Sequence, residues 1–161
     1  MIILGIDPGL VQTGYGLIKI AGEKKEVLDY GIIAPDSKST LSNRLKTIYN
    51  DIIEIIDRFN PNTVVVEEVF YGKNVKSALL LGHARGVAMV SASKYNIPVF
   101  EYSAKKIKQA ITGNGNAHKE QVKFMVMKDL NLKNFNAPID ASDALAIAIC
   151  HLYQMKIDEL W

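Results

Sequence analysis

Met1-Ile2-Ile3-Leu4-Gly5-Ile6-Asp7-Pro8-Gly9 opens the chain, and its reading decides the fold. Ile2 to Ile6 is an apolar run with β-branched residues on both faces, the pattern of a central strand buried on two sides. Pro8 and Gly9 stop it, because proline has no N–H to give a ladder and the pair favours a turn. Asp7 is left as a carboxylate at the carboxyl end of a buried strand. A buried charge is costly unless it is paired or binds a metal. Two readings stand open for Asp7: a cap for the turn, or one member of a charge cluster completed elsewhere in the chain.

Working outward, residues 13–20 and 27–34 read as two further strands, with Gly31 as a candidate bulge. Their short connections make an antiparallel meander with the first strand. Residues 41–59 place Leu41, Leu45, Ile48, Tyr49, Ile52, Ile55, Ile56 and Phe59 at helical spacing, and Asn60-Pro61-Asn62 ends the helix. Residues 63–69 then form another buried strand. A helix between two buried strands implies a crossover, so this strand lies parallel to the first and ends on the same edge. Open α/β sheets place their ligands at such an edge. Asp7 and Glu67 occupy the two ends, and alternation sends Glu68 to the opposite face.

Residues 74–94 read as a helix that is apolar or small nearly all round, with Gly82 and Gly86 four apart. One sheet face cannot cover such a helix, so either it is central in its own core or a second copy of the chain packs on it. A short strand at 97–102, a short basic helix at 104–111, a tight loop at Gly113 to Asn116, a helix at 117–130 and a last helix from Ile139 or Asp140 complete the chain. The fold expected is α/β: a mixed five-stranded sheet, antiparallel meander plus parallel strands, flanked by helices. Residues 1–161 are read as one domain, with 154–161 as a tail free to fray.

With 161 residues, 48% of them hydrophobic and 22% charged, the chain has enough apolar material for a sizeable core and is not a disordered sequence. The single cysteine, Cys150, excludes a disulfide framework and suits a buried thiol in a reducing cytosol. No apolar run reaches the roughly 20 residues of a membrane span. The N-terminus lacks a basic leader, so a cytoplasmic location is expected. Charge is unevenly spread. Residues 103–133 hold seven lysines (Lys105, Lys106, Lys108, Lys119, Lys123, Lys128, Lys133) against Glu120 and Asp129, a local excess of +5, while the remainder is at −3. A basic lobe beside an acidic one suits a polyanion held near carboxylates; taken alone, the lysines read as a solvated surface.

Asp140 and Asp143 stand at i and i+3, one turn apart on one helix face and both expected in the first turn. Capping alone accounts for Asp140; Asp143 has small and apolar neighbours. Asp7, Glu67, Asp140 and Asp143 thus sit at the ends of buried elements. If they converge, they cannot all ionise in a dry cleft without a cation. Oxygen ligands suit magnesium or manganese rather than zinc; His83, His118 and His151 do not have a zinc spacing. Two divalent ions about 3.5–4 Å apart would clamp the attacking and leaving oxygens of a phosphodiester.

Asp7-Pro8-Gly9 with Thr13-Gly14-Tyr15-Gly16, the segment Val66-Glu67-Glu68-Val69-Phe70, the helix from Lys73-Asn74 to Ala84-Arg85-Gly86-Val87, and Asp140-Ala141-Ser142-Asp143-Ala144-Leu145-Ala146 resemble the RuvC family of Holliday junction resolvases. The similarity runs to about His151. It implies an RNase H-like fold, a homodimer, magnesium-dependent paired nicking of a four-way DNA junction in recombination and repair, and contact with a branch-migration complex of the RuvA and RuvB type. By position, Asp7, Glu67, Asp140 and Asp143 match the family's metal-binding acids. Lys108 and Lys119 match basic residues near the scissile phosphate. Phe70 matches an aromatic that stacks near unpaired bases, though it reads equally as a core aromatic at a strand end. Lys105 is expected to touch backbone phosphate. Glu68 departs from the family, some members of which carry an amide there.

Three other readings are weighed. A hybrid-cleaving ribonuclease of the same fold would share the chemistry but has no need of the apolar helix 74–94. An actin-like sugar kinase or ATPase also has Asp-x-Gly after its first strand but uses two such domains. A non-catalytic junction binder would not hold four acids against phosphate without metal.

Overall fold

Alternation along β1 (Ile2–Asp7) divides the chain's first apolar run between two cores. Ile3 packs on one side with Val65, Ile107, Val122 and Leu145. Leu4 and Ile6 pack on the other with Ile48, Ile52, Val64 and Val66. A strand buried on both faces belongs in the middle of a sheet, and β1 is the centre of five. The computed structural model describes residues 1–69, 74–133, 136 and 138–158.

The sheet order is β3-β2-β1-β4-β5. β2 (Thr13–Ala21) and β3 (Lys24–Ile33) form the antiparallel meander with β1. After the helix α1 (Leu41–Phe59), β4 (Thr63–Glu67) lies parallel to β1, and β5 (Val99–Tyr102) lies parallel to β4. The mixed sheet read from the sequence is therefore present. β3 begins earlier than expected, because Lys24 to Glu26 pair with Ala21 to Lys19. The irregularity lies between Leu17 and Ile18, not at Gly31, which pairs regularly with Tyr15. β4 ends at Glu67, short of Val69. β5 starts at Val99 because Pro98, with no N–H to donate, instead accepts from Val64 N–H and Thr63 Oγ1.

α1 is capped at both ends as its sequence dictates. Thr40 accepts from Asn43 N–H, and Asn60 turns left-handed at φ 46° with its N–H on the Ile56 carbonyl. It covers one sheet face together with α2 (Val75–Ser93). The other face carries α5 (Ile139–Asp158), flanked by α3 (Ala104–Thr112) and α4 (Lys119–Asp129). α5 stays helical through Asp158. Ala141, Ser142 and every residue from Ala144 to Leu152 are buried, and Asp143 is half-buried. α2 differs: Ala84, Ala88 and Ala92 are buried, while Val75, Leu79 and Val90 are more than half exposed. Among the described residues no helix is long and apolar enough to cross a membrane.

Candidate active site

β1 and β4 end side by side. Their parallel register sets Ile6 against Val66, so Asp7 and Glu67 stand together one residue further on. Odd-numbered residues of both strands face α5, as Ile3 and Val65 do. Thr13 and Arg44 hold the turn after Asp7 in place. The buried Thr13 hydroxyl donates to the Gly9 carbonyl at 2.7 Å and accepts from Gly9 N–H at 3.2 Å. Arg44 of α1 donates to the Leu10 carbonyl at 2.6 Å.

α5 brings the other two acids. Asp140 lies in its first turn, but Asp143 lies in the second, contrary to expectation, because the helix opens at Ile139. The Pro138 carbonyl takes Ala141 and Ser142 N–H, so Asp143 is already past the free N–H groups. The helix comes down onto glycines. A Cβ on Gly5 would overlap the Ala144 carbonyl, one on Gly14 the Asp140 carbonyl, and one on Gly16 the Leu145 side chain. Missing side chains on β1 and β2 thus let the backbone of α5 rest on the sheet.

The acids converge. One carboxylate oxygen from each of Asp7, Asp140 and Asp143 lies within 4.8 Å of the others. Asp7, Glu67 and Asp143 line a cleft of about 140 Å3 with Lys108 and Lys119, over Ala104, Ile107, Val122 and Ala146. Asp7 and Asp143 belong to both groups; Glu67 joins them in the cleft lining, and Asp140 joins them in the cluster of oxygens beside it.

Burial pushes the Asp7 carboxyl up to about 8, and the charges of Glu67, Asp143 and Asp140 add to this against Lys119. Glu67 is also raised, by burial first and then by Asp143, with Lys119 and Lys108 opposing. Lys119 Nζ lies 3.0 Å from Asp143 Oδ2, and that hydrogen bond holds its ammonium above the usual lysine range although burial opposes. The local balance is short of positive charge. Clustered carboxylate oxygens that resist ionisation are a donor set for a hard divalent cation, so the residues present fit one.

Other candidates fall differently. Lys105 is exposed and outside the cleft lining; its stem packs over Gly115. Phe70 lies outside the described residues. Glu68 turns away as expected and lines a separate cleft of about 760 Å3 with Arg85, Glu101 and residues of α2. His118 precedes α4 and makes no side-chain cap bond. Sequence reasoning missed Thr13, Arg44 and the seat on Gly5, Gly14 and Gly16. The alternate glycines of β2 were the available signal for the last, since glycine inside a strand marks a close backbone approach.

A family model described as crossover junction endodeoxyribonuclease RuvC matches residues 3–151. The crossover junction endodeoxyribonuclease RuvC of Alkaliphilus oremlandii (strain OhILAs) is 49% identical over 161 residues, 100% of this chain and 98% of that one. The structure of Thermus thermophilus RuvC in complex with a Holliday junction substrate superposes with a TM-score of 0.91 at 33% identity, covering 98% of this chain and 96% of that one. The yeast mitochondrial Holliday junction resolvase Ydc2 superposes at 0.62 with 14% identity, covering 99% and 86%, and shows the fold alone. The architecture is thus the RNase H-like one.

Proposed function

The chain belongs to the RuvC family of crossover junction endodeoxyribonucleases, and from that premise we propose that it resolves four-way DNA junctions at the cleft between β1, β4 and α5. The observation that carries this is the meeting of Asp7, Glu67, Asp140 and Asp143 beside Lys108 and Lys119.

Asp7, Glu67, Asp140 and Asp143 would hold the divalent cations, two magnesium ions in our reading, with manganese able to substitute. When bound, these supply the activation of the attacking water and the stabilisation of the departing 3′ oxygen. Asp7 and Glu67 are fixed by sheet register, and Asp140 and Asp143 by the glycine seat, so the donor atoms are set before the substrate arrives. Lys119, held by Asp143, presents a mobile point charge to the phosphate as its negative charge grows. Lys108 does the same from α3. The new bond joins water oxygen to phosphorus, the bond to the 3′ oxygen breaks, and a 5′-phosphate and a 3′-hydroxyl result. Phe70 would stack on unpaired bases, and Lys105 would contact backbone phosphate outside the cleft.

Resolution requires two nicks, and one chain carries one acid cluster among its described residues. We assign the second cluster to a partner copy docked on α2. Its exposed Val75, Leu79 and Val90 and the open space beside Gly82 and Gly86 support this. The chain as a single domain in the cytoplasm, working with a branch-migration complex of the RuvA and RuvB type, completes the proposal.

The test incubates the protein with a synthetic four-way junction, a linear duplex and an RNA–DNA hybrid, with and without magnesium. Paired nicks in the junction alone, lost in Asp7→Asn while junction binding persists or tightens, are expected. Preferential cutting of the hybrid would support the ribonuclease reading.

A further inference from the structure

β5 is the edge strand nearest the cleft, four residues long and bonded on one side only. Its last residue, Tyr102, is the register partner of Glu67, and the Tyr102 carbonyl accepts from Glu68 N–H at 3.0 Å. A short edge strand is a weak anchor, yet α3 departs from it with no linker. Ser103 accepts from Lys106 N–H as the N-cap, and α3 starts at Ala104. Lys108 then enters the cleft on the second turn.

Two polar contacts pin β5, one on each face. Glu101 is paired with Arg85 of α2. On the other face the Tyr102 hydroxyl lies 2.9 Å from Nδ1 of His151 on α5. His151 is only 3% exposed, and its ring packs on Phe100 at 4.4 Å between centroids. Burial depresses its basicity, against the opposing charge of Asp158. The same helix carries Asp140 and Asp143, two to three turns upstream. One half-buried hydrogen bond therefore links the element that carries two of the acids to the strand end from which α3 departs.

We infer that Tyr102 and His151 are positioning residues for cleavage: their hydrogen bond fixes the start of α3 against α5, and so fixes where Lys108 stands relative to Asp7, Glu67 and Asp143. The inference rests on Lys108 acting at the scissile phosphate. A bond that only stabilised the edge strand would change melting and not the rate of the folded enzyme.

A double-mutant cycle on single-turnover junction cleavage separates these cases. Tyr102→Phe keeps the ring and removes the hydroxyl. It should slow cleavage about 10-fold at saturating protein and magnesium, with junction affinity in calcium within about 2-fold of wild type. Lys108→Ala should slow cleavage about 100-fold, and adding Tyr102→Phe to it should cost nothing more, because the bond acts through Lys108. His151→Gln, which keeps a polar partner for the phenol, should cleave faster than His151→Leu. An additive double mutant would overturn the inference, as would a Tyr102→Phe enzyme that cleaves at the wild-type rate. A wild-type rate in Lys108→Ala would instead remove Lys108 from the catalytic site, and the inference with it. Melting curves on each variant confirm that folded protein is being assayed.

Discussion

The carbonyl oxygen of Asp140 occupies the space that a Cβ on Gly14 would need. The first acid of α5 is thus seated by the backbone of β2 with no side chain between. Register along β1 and β2 pairs Asp7 with Gly14, so this contact also sets Asp140 beside Asp7.

Gly14→Ala should therefore damage the site more than the fold. The added methyl meets backbone, which cannot swing aside, so α5 must lift at its start. Overpacking of this kind costs about 1–3 kcal/mol. Cleavage should fall about 100-fold or more because the carboxylates separate. Gly5→Ala overlaps α5 one turn deeper, at Ala144, and serves as the comparison. Gly14→Ala should demand more magnesium than Gly5→Ala at matched loss of melting temperature. Equal magnesium dependence in the two would show that only stability had changed.

How far the sequence foretold this depends on whether the cause is local. α1 has the bounds read for it, because Thr40 and Asn60-Pro61 cap it from within the segment. The convergence of Asp7 with Glu67 was legible because a crossover between two buried strands leaves little choice of direction. The seat of α5 was not, since the partners of Gly5, Gly14 and Gly16 lie more than 100 residues away. For the same reason the Tyr102–His151 bond left no trace: neither residue has a neighbour in sequence that announces the other. Lys24 to Glu26 lay outside the strand read at 27–34 because three polar residues show no apolar alternation, yet they pair with Ala21 to Lys19.

Metal-free protein should lose stability as pH rises. Asp7 is held at about 8 in the folded state against an ordinary value of 3.8, so the folded chain binds the extra proton between those values. Its contribution is complete below the lower value and is lost as pH climbs through the upper one. Glu67 shifts in the same direction. In EDTA, raising pH from about 5 to about 8 should lower the melting temperature by about 3 °C or more beyond the change in Asp7→Asn. Magnesium should abolish the difference. Parallel curves for wild type and Asp7→Asn in EDTA would refute the coupling.

Gly86→Leu should leave a folded monomer. Nothing lies within 4 Å of a Cβ built at Gly86, so leucine fits the isolated chain. Replacing glycine in a helix interior also favours the helix by about 1 kcal/mol. Loss of the dimer on sedimentation, with an unchanged or raised melting temperature, would place the interface on α2. A dimer of undiminished affinity in the variant would move the interface elsewhere.

Lys119→Ala should slow strand cleavage far more than it weakens junction binding. Lys119 is 59% exposed yet pairs with Asp143 at the lip of the cleft, so its head group is free to follow a phosphate without leaving the acids. A charge that meets the phosphate most strongly as water attacks lowers the cleavage rate when removed and changes ground-state affinity little. A loss of about 100-fold in single-turnover rate at saturating protein, against a change of about 3-fold in calcium binding, is expected. Lys105, exposed and away from the acids, should behave oppositely. Lys105→Ala should weaken binding and flatten its salt dependence by about one unit of slope, with the saturated rate unchanged. Removing Lys119 also frees Asp143 of its partner, which should tighten magnesium binding even as the rate falls. A slow variant with higher magnesium affinity is the signature of a lysine that serves the phosphate; one whose magnesium requirement also rises would mean that Lys119 mainly orients Asp143.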